Sequence, residues 1–442
     1  MRRIKKLNSP RVEYSWFSQY VPSSFWLMLE QGIRLLASFT VGVWMARFLG
    51  PATFGQYSLV IAVLGVGYSV SKLGMDTILM RFFVEKTSPL DYVMPAIVIR
   101  LCCAFLFMLL VLLASNLLSI AEDFQHALII VVLSLFFNAT EVFEFFALAK
   151  GKGELPAFAK MVSVLIASVV RVCLILQGAP MIAFLAVVVL EHFLVGLILW
   201  LFFRKWSPNL RLNNANVHNK VVELIVQSFP VFLGALVVSI YMRLDQFMLE
   251  YFLGSQSVGV YSAAIKFSEV WFVLPMIFSN ALYPAIINAK KEKAGIYKFR
   301  MTFLYSIVFW SLLAACVLTT YFSEILVFTL YGEEFSEAAG VIRIHIWSTL
   351  FAGLMIVGGK WYVSEGLTSQ LLFRHICALA ANISLNFLLI PRLGIYGAAV
   401  STLASYIFAG YLCDLYGRSS REQFRLKTLA ILRPWIILRG NI

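Results

Sequence analysis

Five basic residues lie inside stretches otherwise built from Leu, Val, Phe, Ala and Ile: Arg34, Arg171, Arg243, Lys266 and Arg343. A charge at the centre of an apolar span costs at least about 2.5–3.5 kcal/mol, so each calls for a cavity or a partner. At 1.5 Å per helical residue, Arg34 stands about 16 Å and Lys266 about 13 Å into its run, while the other three sit shallower. Arginine offers paired planar donors and lysine a point charge, the chemistry that receives an anionic group. Arg34 and Lys266 are the first candidates for that work, then Arg243, with Arg171 and Arg343 behind them. A purely structural role competes: Glu30 is four residues before Arg34 on the same helix face, and Asp245 and Glu269 are in position to neutralise Arg243 and Lys266.

Carboxylates share these runs. Glu191 falls near the middle of one, and Asp76, Glu141 and Glu144 nearer the ends of others. A carboxylate inside a helix bundle can trade a proton or bind a cation as access alternates, so Glu191, Asp76, Glu141 and Asp245 are candidates for ion coupling, with H+ or Na+ as the ion. Pairing with a basic neighbour is the competing reading for each. His192, His345 and His375 carry no metal spacing, and the six cysteines show no CxxC, so neither a metal, a disulfide nor a bound cofactor is expected.

The elements that must hold these groups follow from composition. Of 442 residues, 61% are hydrophobic and 13% charged, against roughly 45–50% and 25% in soluble domains. That excludes a multi-domain soluble enzyme and points to an all-α integral membrane protein. Twelve runs are long enough to cross a bilayer, near 23–48, 56–82, 93–119, 126–149, 156–177, 180–203, 221–250, 257–287, 301–322, 338–362, 371–391 and 394–416. Basic residues recur at alternate ends of them: Arg2, Arg3, Lys5, Lys6 and Arg11, then Arg81 and Lys86, Lys150 and Lys152, Arg204 and Lys205, Lys290 to Arg300, and Arg418 to Lys427. The net charge of +13 therefore reads as orientation in the membrane and contact with anionic lipid, not nucleic-acid binding. Both termini are expected in the cytoplasm, the first as a retained tail. No connection is long enough for a catalytic domain, so function must lie within the membrane. The C-terminal segment from Lys427 onward mixes bases with apolar residues and could lie along the membrane surface, with a frayed tail as the competing reading. Pro230, Pro275 and Pro284 interrupt the seventh and eighth runs and are candidate hinges.

Residues 48–61 and 252–265 align without a gap, with seven identities: Phe48, Leu49, Gly50, Gly55, Tyr57, Ser58 and Ile61 recur as Phe252, Leu253, Gly254, Gly259, Tyr261, Ser262 and Ile265. Six spans separate the copies, so the halves are parallel repeats, the architecture of a transporter. The expected organisation is a tail (1–22), an N-lobe (23–205), a linker (206–220), a C-lobe (221–416) and a second tail (417–442), with twelve helices in two six-helix repeats around a central cavity. The glycines are expected to make tight turns at the helix ends.

At these residues the sequence resembles the polysaccharide biosynthesis or oligosaccharide flippase family, within the multidrug/oligosaccharidyl-lipid/polysaccharide exporter superfamily. The resemblance rests on ARFLGPATFGQYS (46–58), GMDTILMRFFVE (74–85), RLDQFMLEYFLGSQSVGVYSAAIKFSE (243–269), YGEEFSEAAGVIRI (331–344) and NISLNFLLIPRLGIYGAAVSTL (382–403). It implies movement of an undecaprenyl-pyrophosphate-linked oligosaccharide repeat unit from the cytoplasmic to the outer leaflet of a bacterial inner membrane, for O-antigen, capsule or exopolysaccharide. Arg34, Lys266 and Arg243 would then meet the pyrophosphate. A polysaccharide polymerase and chain-length proteins are the partners such a pathway implies, beside the lipid-linked cargo and membrane lipids. Lipid II-type and drug or cation exporters of the superfamily are alternatives, and a membrane polymerase is a more distant one.

Overall fold

The computed structural model describes residues 13–433 except 87, 119–120, 207–216, 293 and 418–419, with backbone alone for 13–24, 206, 284, 285, 289, 291, 292 and 294. Every regular element among the described residues is helical. In hydrocarbon a backbone must satisfy its own polar groups, and long apolar runs do so as helices. In chain order these are α1 (Glu13–Lys72), α2 (Met75–Glu85), α3 (Val93–Leu117), α4 (Glu122–Phe137), α5 (Val142–Ala149), α6 (Glu154–Leu176), α7 (Met181–Trp206), α8 (Val217–Tyr241) and α9 (Leu244–Leu253). There follow α10 (Ser255–Val270), α11 (Val273–Glu292), α12 (Ala294–Leu330), α13 (Ala338–His345), α14 (Ser348–Ser364), α15 (Thr368–Leu393), α16 (Ile395–Gly410) and α17 (Arg421–Leu432).

Among the described residues, ten helical stretches are long and apolar enough to cross a membrane, and α13 with α14, bent by 42°, makes an eleventh. The first stretch, Phe25–Glu85, is 61 residues long, about twice what a bilayer needs. It is broken at Gly50 (φ 71°, ψ 167°), which divides it into the first and second of the twelve expected spans. Gly254, at the equivalent place between α9 and α10, has φ 81° and ψ 175°. Both conformations disfavour a side chain, so the backbone repeats what the sequence repeats.

The chain forms two compact units. One comprises the chain up to Val41 together with Gly67–Leu233; the other comprises Gly42–Val66 with Gly234–Ile442. In the first, Met75, Leu79, Phe82, Ile99, Val142, Phe146 and Phe203 form a buried core. Arg81 donates to Gln227, and Lys86 pairs with Glu223 at 2.8 Å, which tie α2 to the start of α8.

The second unit contains the hairpin around Gly50, which packs on the hairpin around Gly254. Its core runs through Tyr305, Leu312, Leu350, Leu354 and Trp361. Lys427, at the head of the segment expected along the membrane surface, instead lies fully buried in α17, which packs on α12. Its Nζ donates to Asp414 and to the Gly410 carbonyl, each at 2.6 Å, and Trp310 donates to the Ala430 carbonyl at 3.2 Å. Residues 434–442 of that segment lie outside the described residues. Helix α8 continues through Pro230, and the break in the eighth span falls at Trp271 and Phe272, just before Pro275. Pro284 lies within α11.

Candidate functional site

Polar groups converge at one place in each unit. In the first, α1, α6, α7 and the turn at Asn138–Glu141 enclose a cavity of about 350 Å³, lined by Arg34, Lys72, Asn138, Glu141, Glu191 and His192 among others. Arg34 Nε lies 3.0 Å from Glu30, with Glu30 buried and half of the Arg34 side chain exposed. The i,i+4 pairing read from sequence is therefore present, and it leaves the guanidinium accessible.

Around that cavity every expected carboxylate has a cation. Glu141 meets Lys72 at 2.8 Å, Glu191 meets Arg171 at 2.7 Å, and Asp76 meets Arg100 at 2.6 Å. Lys160 pairs with Glu144 at 2.6 Å. Arg100, 1% exposed, bridges the group by also donating to the Asn138 carbonyl at 3.1 Å and standing 3.7 Å from Glu141. Sequence reasoning passed over Lys72, Arg100 and Lys160, because bases near the ends of apolar runs read as topology determinants. The signal available was the number of acids nearby, each needing a partner inside the membrane.

Tyr68 and His192 flank the cavity with rings 5.3 Å apart, and Lys72 lies over the Tyr68 ring at 5.6 Å. His192 Nδ1 contacts the Val188 carbonyl at 2.7 Å, which is the structural role expected of it. Asn138 is buried, and its Nδ2 has no hydrogen-bond partner.

In the second unit Asp245, near the N-terminus of α9, accepts from Tyr261 at 2.7 Å, from Asn386 at 2.7 Å, and from Thr402. Asn386 in turn donates to Asn382 at 3.1 Å. The donors come from α10, α15 and α16, so one carboxylate gathers four helices. Gln246, Tyr261, His345 and Thr402 line, with Asp245, a cavity of about 30 Å³, the scale of a single water or small ion. The expectation that Asp245 neutralises Arg243 is replaced by a cradle of neutral donors. Arg243 precedes α9 and passes Gly65, with Nε 3.4 Å from where a side chain there would begin.

Lys266 lies over the Phe54 ring at 4.7 Å, in space left by Gly42, where a β-carbon would stand 2.9 Å from Nζ. Arg343 pairs with Glu324 at 2.5 Å and with Ser323 at 3.0 Å, and is nearly half exposed. The ten residues singled out by sequence thus divide: Glu30, Arg34, Asp76, Glu141, Arg171 and Glu191 in one unit, Arg243, Asp245, Lys266 and Arg343 in the other.

The model of the polysaccharide biosynthesis protein family matches residues 21–290, more than half of the chain. The chain belongs to that family. A second model, MatE, matches residues 230–388.

Among curated proteins, an uncharacterized membrane protein, MJ1068, of Methanocaldococcus jannaschii is 27% identical over 169 residues, 37% of this chain and 32% of its own. The probable flippase AglR of Haloferax volcanii is 26% identical over 181 residues, 39% of this chain and 37% of its own. The chain thus spans about a third of the length of each of these relatives.

Among solved structures, the lipid II flippase MurJ in an inward closed conformation superposes with a TM-score of 0.68 at 13% identity, over 96% of this chain and 93% of that one. A multidrug resistance MATE family transporter in its outward-facing conformation gives 0.61 at 15% identity, over 93% and 96%. The fold is therefore that of these two solved structures.

Proposed function

We propose that the protein is a flippase that moves undecaprenyl-pyrophosphate-linked oligosaccharide repeat units from the inner to the outer leaflet of a bacterial cytoplasmic membrane, for O-antigen, capsule or exopolysaccharide. The observation that carries this reading is a charged, 350 Å³ cavity inside apolar spans, in a chain of the polysaccharide biosynthesis family. Charge at that depth is costly unless it lines a path for polar cargo. Both termini face the cytoplasm in this reading, because the basic clusters fall at alternate helix ends, and the Gly50 and Gly254 turns face outward.

Transport proceeds by alternating access coupled to a cation. Of the four coupling candidates, Asp245 is the strongest. Glu141, Glu191 and Asp76 are matched by Lys72, Arg171 and Arg100, whereas the hydrogen bonds of Asp245 come from neutral groups. A buried carboxylate held only by neutral donors is one that a proton or Na+ can neutralise without displacing a cation already paired with it. Arg34, half exposed at the first cavity, is the strongest candidate among the cations for contact with cargo.

The test is deletion of the gene. Loss of a surface polysaccharide, with accumulation of its lipid-linked repeat unit on the cytoplasmic face, is expected; unchanged surface polymer and no accumulation would sink the reading. Arg34→Ala expressed in the deletion strain should reach the membrane and fail to restore the polymer, with Arg34→Lys restoring part of it.

A further inference from the structure

The charges around the first cavity are almost all spent on one another. Lys72, Lys160 and Arg34 each hold a carboxylate at 2.6–3.0 Å, and Glu141 and Glu191, themselves paired, share the wall with them. A pyrophosphate entering here would find one half-exposed guanidinium, that of Arg34, and would otherwise have to displace those carboxylates and sit beside them, a like-charge cost that grows as water is excluded.

A sugar has the opposite requirements. Each hydroxyl both donates and accepts, so a wall of paired carboxylates and cations serves it without breaking an ion pair. Two further features fit a pyranose. The adjoining Tyr68 and His192 rings offer an apolar surface to its C–H face. The Asn138 amide, 2% exposed and lining the cavity, has an Nδ2 donor without a partner, and a buried donor is costly until an acceptor oxygen reaches it. The volume of about 350 Å³ lies within the ~300–1,000 Å³ typical of small-molecule sites.

We propose that this cavity binds a sugar residue of the cargo and not its pyrophosphate, with Asn138 donating to a ring or hydroxyl oxygen, Glu141 and Glu191 accepting from hydroxyls, and Tyr68 and His192 forming the apolar platform. The inference rests on the reading of the cargo as a lipid-linked oligosaccharide and names which part of it is recognised here. Sugar selectivity then resides in the first unit, apart from the carboxylate site at Asp245.

The experiment uses the full chain in lipid nanodiscs and three probes: the intact lipid-linked oligosaccharide pool extracted from the protein's own cells, the oligosaccharides released from that pool by mild acid, and undecaprenyl pyrophosphate. The released oligosaccharides should raise the melting temperature of the wild type. Asn138→Leu should weaken their binding by about tenfold or more, the loss of one buried hydrogen bond, and leave undecaprenyl pyrophosphate binding unchanged. Tyr68→Leu and His192→Leu provide the same reading should Asn138→Leu misfold. If the released oligosaccharides leave the wild type unmoved, or bind all three variants equally well, the sugar site is refuted. If undecaprenyl pyrophosphate binding is what the variants lose, the cavity is an anion site and the reading of the cargo survives. If the intact pool does not bind at all, the reading of the cargo fails, and the sugar site with it.

Discussion

Gly55 and Gly259 hold the two copies of the repeat together through a reciprocal contact. A β-carbon at Gly55 would stand 1.7 Å from the Ser255 carbonyl oxygen, and one at Gly259 would stand 1.9 Å from the Pro51 carbonyl oxygen. Pro51 and Ser255 are themselves equivalent at the same spacing as Gly55 and Gly259, so the contact is isologous, as between the halves of a symmetric dimer. The glycines of the repeat therefore do two jobs. Gly50 and Gly254 make the turns, and Gly55 and Gly259, inside helices, let two backbones meet. Either Gly55→Ala or Gly259→Ala should force the hairpins apart and cost about 1–3 kcal/mol, the usual penalty of overpacking. Because the first methyl already opens the contact, the double variant should cost little more than either single one. Thermal unfolding of the purified variants checks both the loss and its non-additivity.

Asp245→Asn keeps the shape of the side chain and removes its charge. The Tyr261 and Thr402 hydroxyls, which share one oxygen, can still donate to the amide oxygen, but the new NH2 then faces the Asn386 amide donor, so unfolding temperature should fall modestly, by the loss of about one hydrogen bond. Transport should fall about tenfold or more, the loss of at least 1.4 kcal/mol of driving interaction, and what remains should no longer respond to an imposed proton or sodium gradient. Uptake measured in proteoliposomes with and without each gradient decides this. A variant that stays gradient-dependent would move the coupling role to Glu141, Glu191 or Asp76.

Arg100→Met should be among the most damaging single changes in the first unit. It strips the fork that holds Asp76 at 2.6 Å and the Asn138 carbonyl at 3.1 Å, leaving Lys72 as the near cation for both Asp76 and Glu141. Breaking a fully buried ion pair on one side typically costs about 3–5 kcal/mol; with Asp76 36% exposed and Lys72 still 3.6 Å from it, the loss here should be smaller, about 1–3 kcal/mol. Arg100→Lys restores the charge without the planar fork and should fall between the two. Denaturation of the three proteins in the same detergent gives the order.

Much of the fold was legible in the sequence, because lipid demands apolar runs of a fixed length and the repeat left Gly50 and Gly254 in plain view. The site was less so. Glu30 with Arg34 could be read, since four residues of helix bring them together. Asp245 could not be placed among Tyr261, Asn386 and Thr402, because 141 and 157 residues separate it from the last two and only packing decides which helices meet. Lys72, Arg100 and Lys160 were hidden differently: a base near a helix end has the same appearance whether it faces lipid headgroups or turns inward to a carboxylate. Lys427 carried the opposite disguise, a basic residue in an amphipathic tail that is in fact wholly buried.

Lys427 gives the chain a pH dependence whose sign is fixed by its surroundings. Burial is the largest influence, and Arg374 beside it acts in the same direction; Asp414 opposes both, and the ammonium is pushed down to about 8 from an ordinary 10.5. Between those values the unfolded lysine carries more proton than the folded one, so stability rises with pH across that window and is flat, with the penalty fully present, below it. The full window is worth up to about 3 kcal/mol. Hydrogen exchange of residues 421–432 should therefore slow, once corrected for intrinsic rate, as pH is raised from 7 to 10, and Lys427→Met should abolish that slowing. Asp414→Asn should do the reverse of stabilising: it leaves Arg374 and Lys427, 1% and 0% exposed, with no buried anion, and should detach α17 by about 3–5 kcal/mol, seen as proteolytic release of the C-terminal helix at neutral pH. Persistence of the helix in that variant would mean that Trp310, Ser306 and the apolar face of α17 dock it without the charges.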